Sequence, residues 1–258
     1  MTNLTISLVQ YDITWEDKYV NRRKIENLIQ QIESTDMIVL PEMFSTGFSM
    51  NVESMAEPMD GQTVVWLKKI AKEKDVVICG SIIIQENNQY FNRLLFVRPD
   101  GKINSYDKRH LFTMGNEQKY YTPGEKQLIV EFKGFRILPL VCYDLRFPVW
   151  SRNRGNFDLM IYVANWPAPR QKAWKTLLRA RAIENQSYLV AVNRTGTDVN
   201  GIVYVGGSYT IDAKGKIIQQ LSKNEEGIIT EKYSLESLQR FRKHFPVLDD
   251  ADQFSLEK

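Results

Sequence analysis

The feature that most constrains this chain is a regular alternation of apolar, β-rich segments with amphipathic helical segments. "LTISLVQYD", "DMIVLPE" and "VVICGSIII" are short apolar runs typical of strands that are buried on both faces. Between the first two, "WEDKYVNRRKIENLIQQIES" places Ile25, Leu28 and Ile29 on one helical face, with charged residues opposite. The alternation predicts an α/β fold.

Two predicted β-hairpins extend this prediction. "LLFVRPDGKINSY" turns at Pro99-Asp100-Gly101, and "SYTIDAKGKIIQQ" turns at Lys214-Gly215. Because hairpins add antiparallel strands to parallel ones, mixed sheets are expected. The two hairpins also resemble each other, which indicates two similar halves. We therefore predict a four-layer αββα sandwich of two mixed β-sheets with internal pseudo-twofold similarity.

The domain organisation is predicted from the absence of a linker. No stretch rich in Pro, Ser or Gly divides the 258 residues, so a single domain over 1–258 is expected. From about residue 235, the pattern predicts a helix that ends at Pro246, followed by an acidic, aromatic C-terminal extension. The apolar strand in "ILPLVCYD" is expected to lead into a short helical segment that begins near Pro148.

Composition excludes several classes of protein. Lys and Arg total 34 against 31 Asp and Glu, and this small, dispersed excess argues against a nucleic-acid partner. No uncharged apolar run approaches the roughly 18 residues of a membrane span, and no secretory leader is recognisable. Two cysteines do not make a disulfide scaffold, so a cytoplasmic location is expected. With only His110 and His244, a multi-histidine metal site is excluded.

Three polar residues at the ends of apolar segments are candidates for chemistry: Glu42, Lys108 and Cys142. Taken singly, each has a simpler explanation, as a solvated carboxylate, a surface lysine or a small core residue such as Cys79. Together they form a coherent set. A thiol with a pKa of about 8.5 needs a base, and a carboxylate is the available one. A lysine beside it would stabilise the charge state of the pair and an oxyanion.

Three ordered motifs carry these residues: "VLPEMFSTGF", "YDKRHLF" and "LVCYDLRFPVWSRN". They resemble the motifs of the nitrilase, or carbon–nitrogen hydrolase, superfamily. The resemblance implies an αββα sandwich, a triad of Cys142, Glu42 and Lys108, no metal or organic cofactor, and a homodimer or higher homo-oligomer. Glu117, in "GNEQKYYTPGE", resembles a second glutamate of this family. Its alternative is an exposed loop position beside Lys119.

The segments "CYDLRFP", "DLMIYVANWPAPR" and "LLRARAIENQSYLVAVNR" resemble the omega-amidase branch. This implies hydrolysis of the terminal amide of a small omega-amido keto acid, of the 2-oxoglutaramate or 2-oxosuccinamate type, through a thioester on Cys142. Glu42 would be the general base. Lys108 and the backbone N–H of Tyr143 would stabilise the tetrahedral oxyanion.

The carboxylate at the far end of such a substrate needs a cationic partner. A guanidinium binds a carboxylate bidentately, and Arg146 and Arg170 are the candidates. The predicted walls of the substrate pocket are aromatic: Phe44, Phe48 and Trp166.

Several alternatives remain open at this stage. Arg146 alternatively pairs with Asp144 or with a helix carboxylate and braces the motif, and Arg170 alternatively is surface charge at a helix N-terminus. The segment "RARAIENQ" is expected to brace the core or an interface rather than to contact substrate. A nitrilase, a deaminated-glutathione amidase or an N-carbamoyl amidase would share the triad. A catalytically inert scaffold and a Cys–His hydrolase that uses His110 are alternatives from other classes.

Overall fold

The computed structural model describes residues 2–256, in which two six-stranded β-sheets form the centre of the molecule. The strands are β1 (Asn3–Gln10), β2 (Met37–Val39), β3 (Val77–Glu86), β4 (Gln89–Val97), β5 (Ile103–Asp107), β6 (Val130–Phe132), β7 (Phe135–Val141), β8 (Leu159–Ala164), β9 (Tyr188–Asn193), β10 (Thr195–Thr197), β11 (Val203–Val205), β12 (Tyr209–Ile211), β13 (Ile217–Gln220) and β14 (Gly227–Ser234). The helices are α1 (Lys18–Ile29), α2 (Val52–Met55), α3 (Gln62–Lys74), α4 (Gln171–Glu184) and α5 (Leu235–His244).

The two sheets have the same internal plan. The first has the order β14-β1-β2-β3-β4-β5, with β1, β2 and β3 parallel and the flanking strands antiparallel. The second has the order β13-β12-β9-β8-β7-β6, with β7, β8 and β9 parallel. Each sheet therefore has one antiparallel strand on one side of its parallel strands and an antiparallel hairpin on the other. The predicted sandwich of mixed sheets is confirmed, and the hairpins β4–β5 and β12–β13 occupy equivalent positions.

The main hydrophobic core joins the two sheets. Alternate residues of β1, Leu4, Ile6 and Leu8, belong to the same buried cluster as the strands of the second sheet. Period-two alternation places these side chains on one face of β1, and that face packs against the opposite sheet. Helix α4 joins this cluster through Trp174 and Leu178, so it covers the second sheet. Full burial of each such aliphatic side chain contributes about 1.5–3 kcal/mol.

The other face of the first sheet packs against two helices. Val9 and Ile38 share a second buried cluster with Ile25 and Ile29 of α1 and with Leu67 of α3. The helical spacing seen in the sequence therefore matches a buried face of α1. These helices and α4 give the order of layers α, β, β, α.

Local structure departs from the sequence-based prediction at two places. Strands β3 and β4 form a hairpin whose turn residues, Asn87 and Asn88, have φ of 50° and 59°. The pair Asn-Asn supplies the positive φ that this tight turn requires. The helical segment predicted near Pro148 is wrong, because a 3-10 turn instead spans Cys142–Arg146. The amide N–H of Phe147 closes this turn by donating to the carbonyl of residue 144 at 3.0 Å.

Helix α5 ends at His244, just before Pro246, as the sequence predicts. None of the helices within residues 2–256 has the length and apolar composition needed to cross a membrane.

Candidate active site

Glu42, Lys108 and Cys142 lie at the ends of three strands from both sheets, and the fold brings their side chains together. Glu42 follows β2, Lys108 follows β5 and Cys142 follows β7. The Lys108 Nζ donates a hydrogen bond of 2.9 Å to Glu42 Oε1. The Cys142 thiol donates to the carbonyl oxygen of Asn165, with the two heavy atoms 4.0 Å apart, and burial together with the nearby charge of Glu42 raises the pKa of the thiol. Because all three side chains are buried, the cluster combines an acceptor, a cation and a thiol away from bulk water.

Glu117 completes the surroundings of the lysine. Its two carboxylate oxygens accept hydrogen bonds from Lys108 Nζ at 3.0 and 2.8 Å. The backbone N–H of Phe112 donates to Glu117 Oε2 at 2.6 Å. Glu117 is fully buried, so the alternative of an exposed loop residue is wrong. A buried ammonium is costly unless it is paired, and here Glu42 and Glu117 both pair with it.

Two asparagines that the sequence analysis missed fix the position of Glu42. The side-chain amide of Asn92 donates to Glu42 Oε1 at 2.8 Å and to Glu117 Oε1 at 3.2 Å. The backbone N–H of Asn165 donates to Glu42 Oε2 at 2.8 Å, and its side-chain amide donates to the Glu42 carbonyl at 2.6 Å. Asn165 follows β8 as Glu42 follows β2, so a polar residue at a strand end was an available signal.

The turn that carries Cys142 is held in a strained conformation. Cys142 has φ of 45°, in the left-handed region that non-glycine residues rarely adopt. The carboxylate of Asp144 accepts hydrogen bonds from the N–H of Val141 at 3.0 Å and from the Tyr106 hydroxyl at 2.8 Å. It also accepts from the His110 backbone N–H and contacts the His110 ring nitrogen Nδ1 at 2.8 Å. The ring of His110 thus pairs with Asp144. Among residues 2–256 no hydrogen bond joins His110 to Cys142, and this argues against a Cys–His hydrolase.

The electrostatics of the cluster favour a neutral thiol beside a charged lysine. Burial raises the pKa of Cys142 well above its usual value; Glu42 adds to this effect, and Lys108 opposes it. Burial alone would lower the pKa of Lys108, but the charges of Glu117 and Glu42 outweigh it and raise that pKa. Burial raises the pKa of Glu117, and Glu42 adds to this increase, whereas Lys108 counteracts it. The site is therefore expected to hold Cys142 as a neutral thiol.

A cavity of about 980 Å³ opens onto this cluster. Cys142 and Lys108 line it, together with Tyr143, the residue after Cys142. Four predicted substrate-binding residues also line it: Phe48, Arg146, Trp166 and Arg170.

Each of the two arginines in the cavity stacks on an aromatic ring. The guanidinium carbon of Arg146 lies 5.3 Å from the centre of the Trp166 ring. That of Arg170 lies 5.3 Å from the centre of the Phe112 ring. Stacking against a ring leaves the edge of a guanidinium able to donate to a carboxylate.

The prediction of Phe44 as a cavity wall is wrong. Phe44 is fully buried under the first sheet, where its ring centre lies 6.2 Å from that of Trp66. Its backbone N–H donates to the Ser81 carbonyl at 3.1 Å. The chain turns sharply after Glu42, with positive φ at Met43, and this turn sends the first phenylalanine of the motif into the core.

Two further expectations concern arginines near Cys142. The carboxylate of Asp144 is engaged by Val141, Tyr106 and His110, so the proposed pairing of Arg146 with Asp144 is not found. Helix α4 braces the site, as expected for "RARAIENQ". Its Arg181 is buried and donates to the carbonyl oxygen of Leu145 at 2.7 Å.

The loop between β10 and β11 forms another cavity wall that the sequence analysis missed. Asp198 Oδ1 accepts from the backbone N–H groups of Asn200 and Ile202 at 2.9 and 3.0 Å. The hydroxyl of Tyr204 donates to Asp198 Oδ2 at 3.1 Å. Only the turn-forming letters "TDVNG" mark this loop in the sequence. Within residues 2–256, no group of three or more His, Cys, Asp or Glu side chains is placed to hold a metal ion.

Comparison with known proteins adds independent information. Residues 5–243 match the model of the family described as carbon-nitrogen hydrolase. The omega-amidase YafV of Yersinia enterocolitica is 46% identical over 256 residues, covering 99% of this chain and 100% of that protein. A 2-oxoglutaramate amidase of Bacillus subtilis is 34% identical, covering 95% of this chain and 96% of that protein.

Solved structures agree with the fold. A CN-hydrolase superfamily protein from Xanthomonas campestris, with an arsenic adduct in its active site, is 45% identical and superposes with a TM-score of 0.95. The match covers 100% of both chains. The extent of the family match and the identity to full-length relatives lead to one conclusion: this chain is a member of the carbon–nitrogen hydrolase family, the nitrilase superfamily, and is an enzyme that hydrolyses amides.

Proposed function

We propose that this enzyme hydrolyses the terminal amide of a small omega-amido keto acid, of the 2-oxoglutaramate or 2-oxosuccinamate class, to a carboxylate and ammonia. The observation that carries the proposal is the cluster of Glu42, Lys108 and Cys142 in a cavity whose wall holds Arg146 and Arg170. The relatives named omega-amidase and 2-oxoglutaramate amidase support the same substrate class.

The chemistry proceeds by acyl transfer through Cys142. Glu42 accepts the thiol proton as Sγ attacks the amide carbonyl carbon. The negative charge that develops on the carbonyl oxygen is stabilised by the Lys108 ammonium and the backbone N–H of Tyr143. Glu42 then gives its proton to the amide nitrogen, the C–N bond breaks and ammonia leaves, with the acyl group held as a thioester.

The second half-reaction releases the acid. Glu42 removes a proton from a water molecule, whose oxygen attacks the thioester carbonyl. The tetrahedral intermediate collapses, the C–S bond breaks and the sulfur recovers the proton. Glu117 holds Lys108 in place through its two contacts of 2.8 and 3.0 Å and acts as a positioning residue.

The far end of the substrate is recognised by charge and shape. We assign its carboxylate to Arg146 and Arg170, with Phe48 and Trp166 as apolar walls. Stacking on an aromatic ring restricts each guanidinium, so less conformational entropy is lost when a carboxylate binds. The ammonium of Lys108 is paired with Glu42 and Glu117, so Arg146 and Arg170 supply the positive charge that favours an anionic substrate over a neutral one.

A second candidate substrate class follows from the size of the cavity. A volume of about 980 Å³ has room for a ligand longer than a five-carbon keto acid amide. This favours a deaminated-glutathione amidase as the runner-up, whereas nitrilase and N-carbamoyl amidase activities are lesser alternatives.

Other properties complete the proposal. The core cluster that joins both sheets supports one catalytic domain over residues 1–258, with the extension from about residue 235 attached to it.

Large apolar side chains such as Ile183 and Phe245 are exposed, which supports a homodimer or higher homo-oligomer. The two free, buried cysteines fit a reducing, cytoplasmic location. The acyl-transfer steps use only groups of this chain and water, so no cofactor is proposed.

The decisive experiment measures kcat/KM on a substrate panel. The panel contains 2-oxoglutaramate, a neutral amide of the same length, deaminated glutathione, an aliphatic nitrile and an N-carbamoyl amino acid. We expect 2-oxoglutaramate to be preferred, and Arg146→Met and Arg170→Met to lower its kcat/KM by about 10- to 100-fold each. The neutral amide should be affected much less.

The matched control is Arg154→Met. This exposed arginine lies over the Phe254 ring outside the cavity, with its guanidinium carbon 5.5 Å from the ring centre. Its replacement should leave the preference unchanged. Equal kcat/KM for the keto acid amide and the neutral amide would contradict the proposed substrate class, and a preference for deaminated glutathione would establish the runner-up.

A further inference from the structure

Asn92 lies in the middle of β4 and reaches the reactive cluster by both its backbone and its side chain. Its carbonyl accepts a hydrogen bond of 3.0 Å from the Lys108 N–H, which fixes the start of the lysine segment. Its side-chain nitrogen donates to Glu42 and Glu117 at 2.8 and 3.2 Å. Nothing in the established chemistry of Cys142 requires an asparagine here, so its position calls for an explanation.

The orientation of this amide is dictated by its neighbours. Carboxylate oxygens accept hydrogen bonds, so only the NH₂ group of Asn92 can face Glu42 and Glu117. Its Oδ1 consequently points elsewhere and has no hydrogen-bond partner among the described residues. A buried carbonyl left without a partner costs stability. Both N–H bonds are made despite this cost. This indicates that the role of Asn92 is to donate hydrogen bonds to the two carboxylates.

The amide and the ammonium hold the same pair of carboxylates. Lys108 Nζ and Asn92 Nδ2 both donate to Glu42 Oε1 and to Glu117 Oε1. Two carboxylates this close repel each other, and each donor reduces that repulsion. Asn92 does so without adding a second positive charge that would compete with Lys108 for the oxyanion.

We propose that Asn92 is a positioning residue whose two N–H bonds hold the carboxylates of Glu42 and Glu117 in place around Lys108 and offset their mutual repulsion. The inference rests on the proposed roles of Glu42 and Glu117. The next residue of β4, Arg93, points to the opposite face of the strand. Its guanidinium donates to the two carboxylate oxygens of Asp107 at 2.6 and 2.9 Å, which holds the strand in position. A strand held on both faces has little freedom to shift the amide.

The proposal predicts a change in pH dependence that a purely structural role would not produce. In Asn92→Ala, one donor to the ionised carboxylates is lost, so protonation of the pair becomes easier. Because the general base acts in its ionised form, the acidic limb of the kcat/KM profile should move to higher pH. The ionisable groups that interact with this pair of carboxylates are Lys108, Cys142 and Tyr121, and the last has its pKa raised by burial.

The test compares Asn92→Ala, Asn92→Asp and Asn153→Ala. We expect Asn92→Ala to lower kcat by about 10- to 100-fold with little change in KM. Asn92→Asp has nearly the same shape but adds an acceptor and a third acidic group, so both its loss of kcat and its shift should be larger. Asn153 is a fully buried asparagine whose amide donates to backbone carbonyls away from the cavity. Its replacement should lower the melting temperature without moving the pH profile.

The possible outcomes are distinguishable. Wild-type kcat in Asn92→Ala, or a loss of kcat that accompanies a lower melting temperature with an unmoved acidic limb, would overturn the proposal. Glu42→Gln is measured in parallel. If that variant keeps wild-type activity, the proposed function of Glu42 fails; if it is inactive while Asn92→Ala keeps the wild-type profile, only the role of Asn92 fails.

Discussion

The hydroxyl of Tyr106 donates a 2.8 Å hydrogen bond to the carboxylate of Asp144. Tyr106 belongs to β5, directly before Lys108, and Asp144 belongs to the turn that begins at Cys142. Together with the two contacts of His110 with Asp144, this bond joins the lysine-bearing segment of the first sheet to the cysteine-bearing turn of the second. The relative position of Lys108 and Cys142 depends on these three contacts.

Asp144→Asn should slow acylation by about 10- to 100-fold and destabilise the fold by ~1–3 kcal/mol, because a buried acceptor of several bonds is replaced by a group that is half donor. Single-turnover kinetics and thermal unfolding measure the two effects. Asp158→Asn is the control, since Asp158 is a buried carboxylate bonded to Arg136 and Arg242 instead. It should lose stability while acylation per folded molecule is retained. Equal acylation rates in both variants would show that Asp144 does not position Lys108 relative to Cys142.

Cys142→Ala should abolish turnover and leave the melting temperature nearly unchanged, because the substitution removes only one sulfur atom beside an open cavity. Cys79→Ala is the matched control: Cys79 lies in the core, and its replacement should keep activity while lowering stability. Iodoacetamide should label Cys142 faster than Cys79. Retained turnover in Cys142→Ala would show that Cys142 is not the nucleophile.

The free enzyme should contain a thiol at position 142 rather than a thiolate at neutral pH, because burial and Glu42 raise the pKa of Cys142 well above its usual value. With the pKa raised, the neutral form persists through the neutral range and the thiolate appears only at strongly alkaline pH. The ultraviolet absorbance of thiolate, measured as wild type minus Cys142→Ala during a pH titration, tests this. A rise in absorbance near or below neutral pH would show a preformed thiolate instead.

Glu42→Gln should slow both acylation and thioester hydrolysis, since the amide has the shape of the carboxylate but cannot accept the proton. Loss of a general base typically reduces the rate by about 10²–10⁴-fold. Rapid-quench measurements on 2-oxoglutaramate follow formation and decay of the thioester separately. If only one of the two steps slows, Glu42 does not serve as the base of both half-reactions.

Lys108→Met should reduce kcat by about 10²–10³-fold, by analogy with loss of an oxyanion donor. The variant keeps much of the side-chain stem but leaves Glu42 and Glu117 without the ammonium, so the pH optimum should also move. Lys108→Arg should not restore full activity, because the larger, planar guanidinium cannot reproduce the contacts of a compact ammonium. Near wild-type acylation in Lys108→Met would show that the charge is not used in catalysis.

The sequence predicted those parts of the molecule that depend on periodicity and on motifs. The layers followed from strand and helix patterns, and the cluster of Glu42, Lys108 and Cys142 followed from three family motifs. The location of Phe44 could not be predicted, since a sharp backbone turn decides which phenylalanine of that motif faces the cavity. Asn92 was hidden for a different reason: it stands beside Arg93 in a strand of mixed polarity, and the linear sequence does not show which residues its side chain meets.

The repeated plan of the two sheets has a consequence for how the enzyme can fail. Glu42 and Lys108 belong to the first sheet and Cys142 to the second, so neither structural repeat carries a complete set of reacting groups. Turnover is therefore a direct reporter of the docking between the repeats. Slight separation of the sheets in mild denaturant should inactivate the enzyme while each sheet retains its hydrogen bonds. Activity should therefore be lost at a lower denaturant concentration than the far-ultraviolet circular dichroism signal.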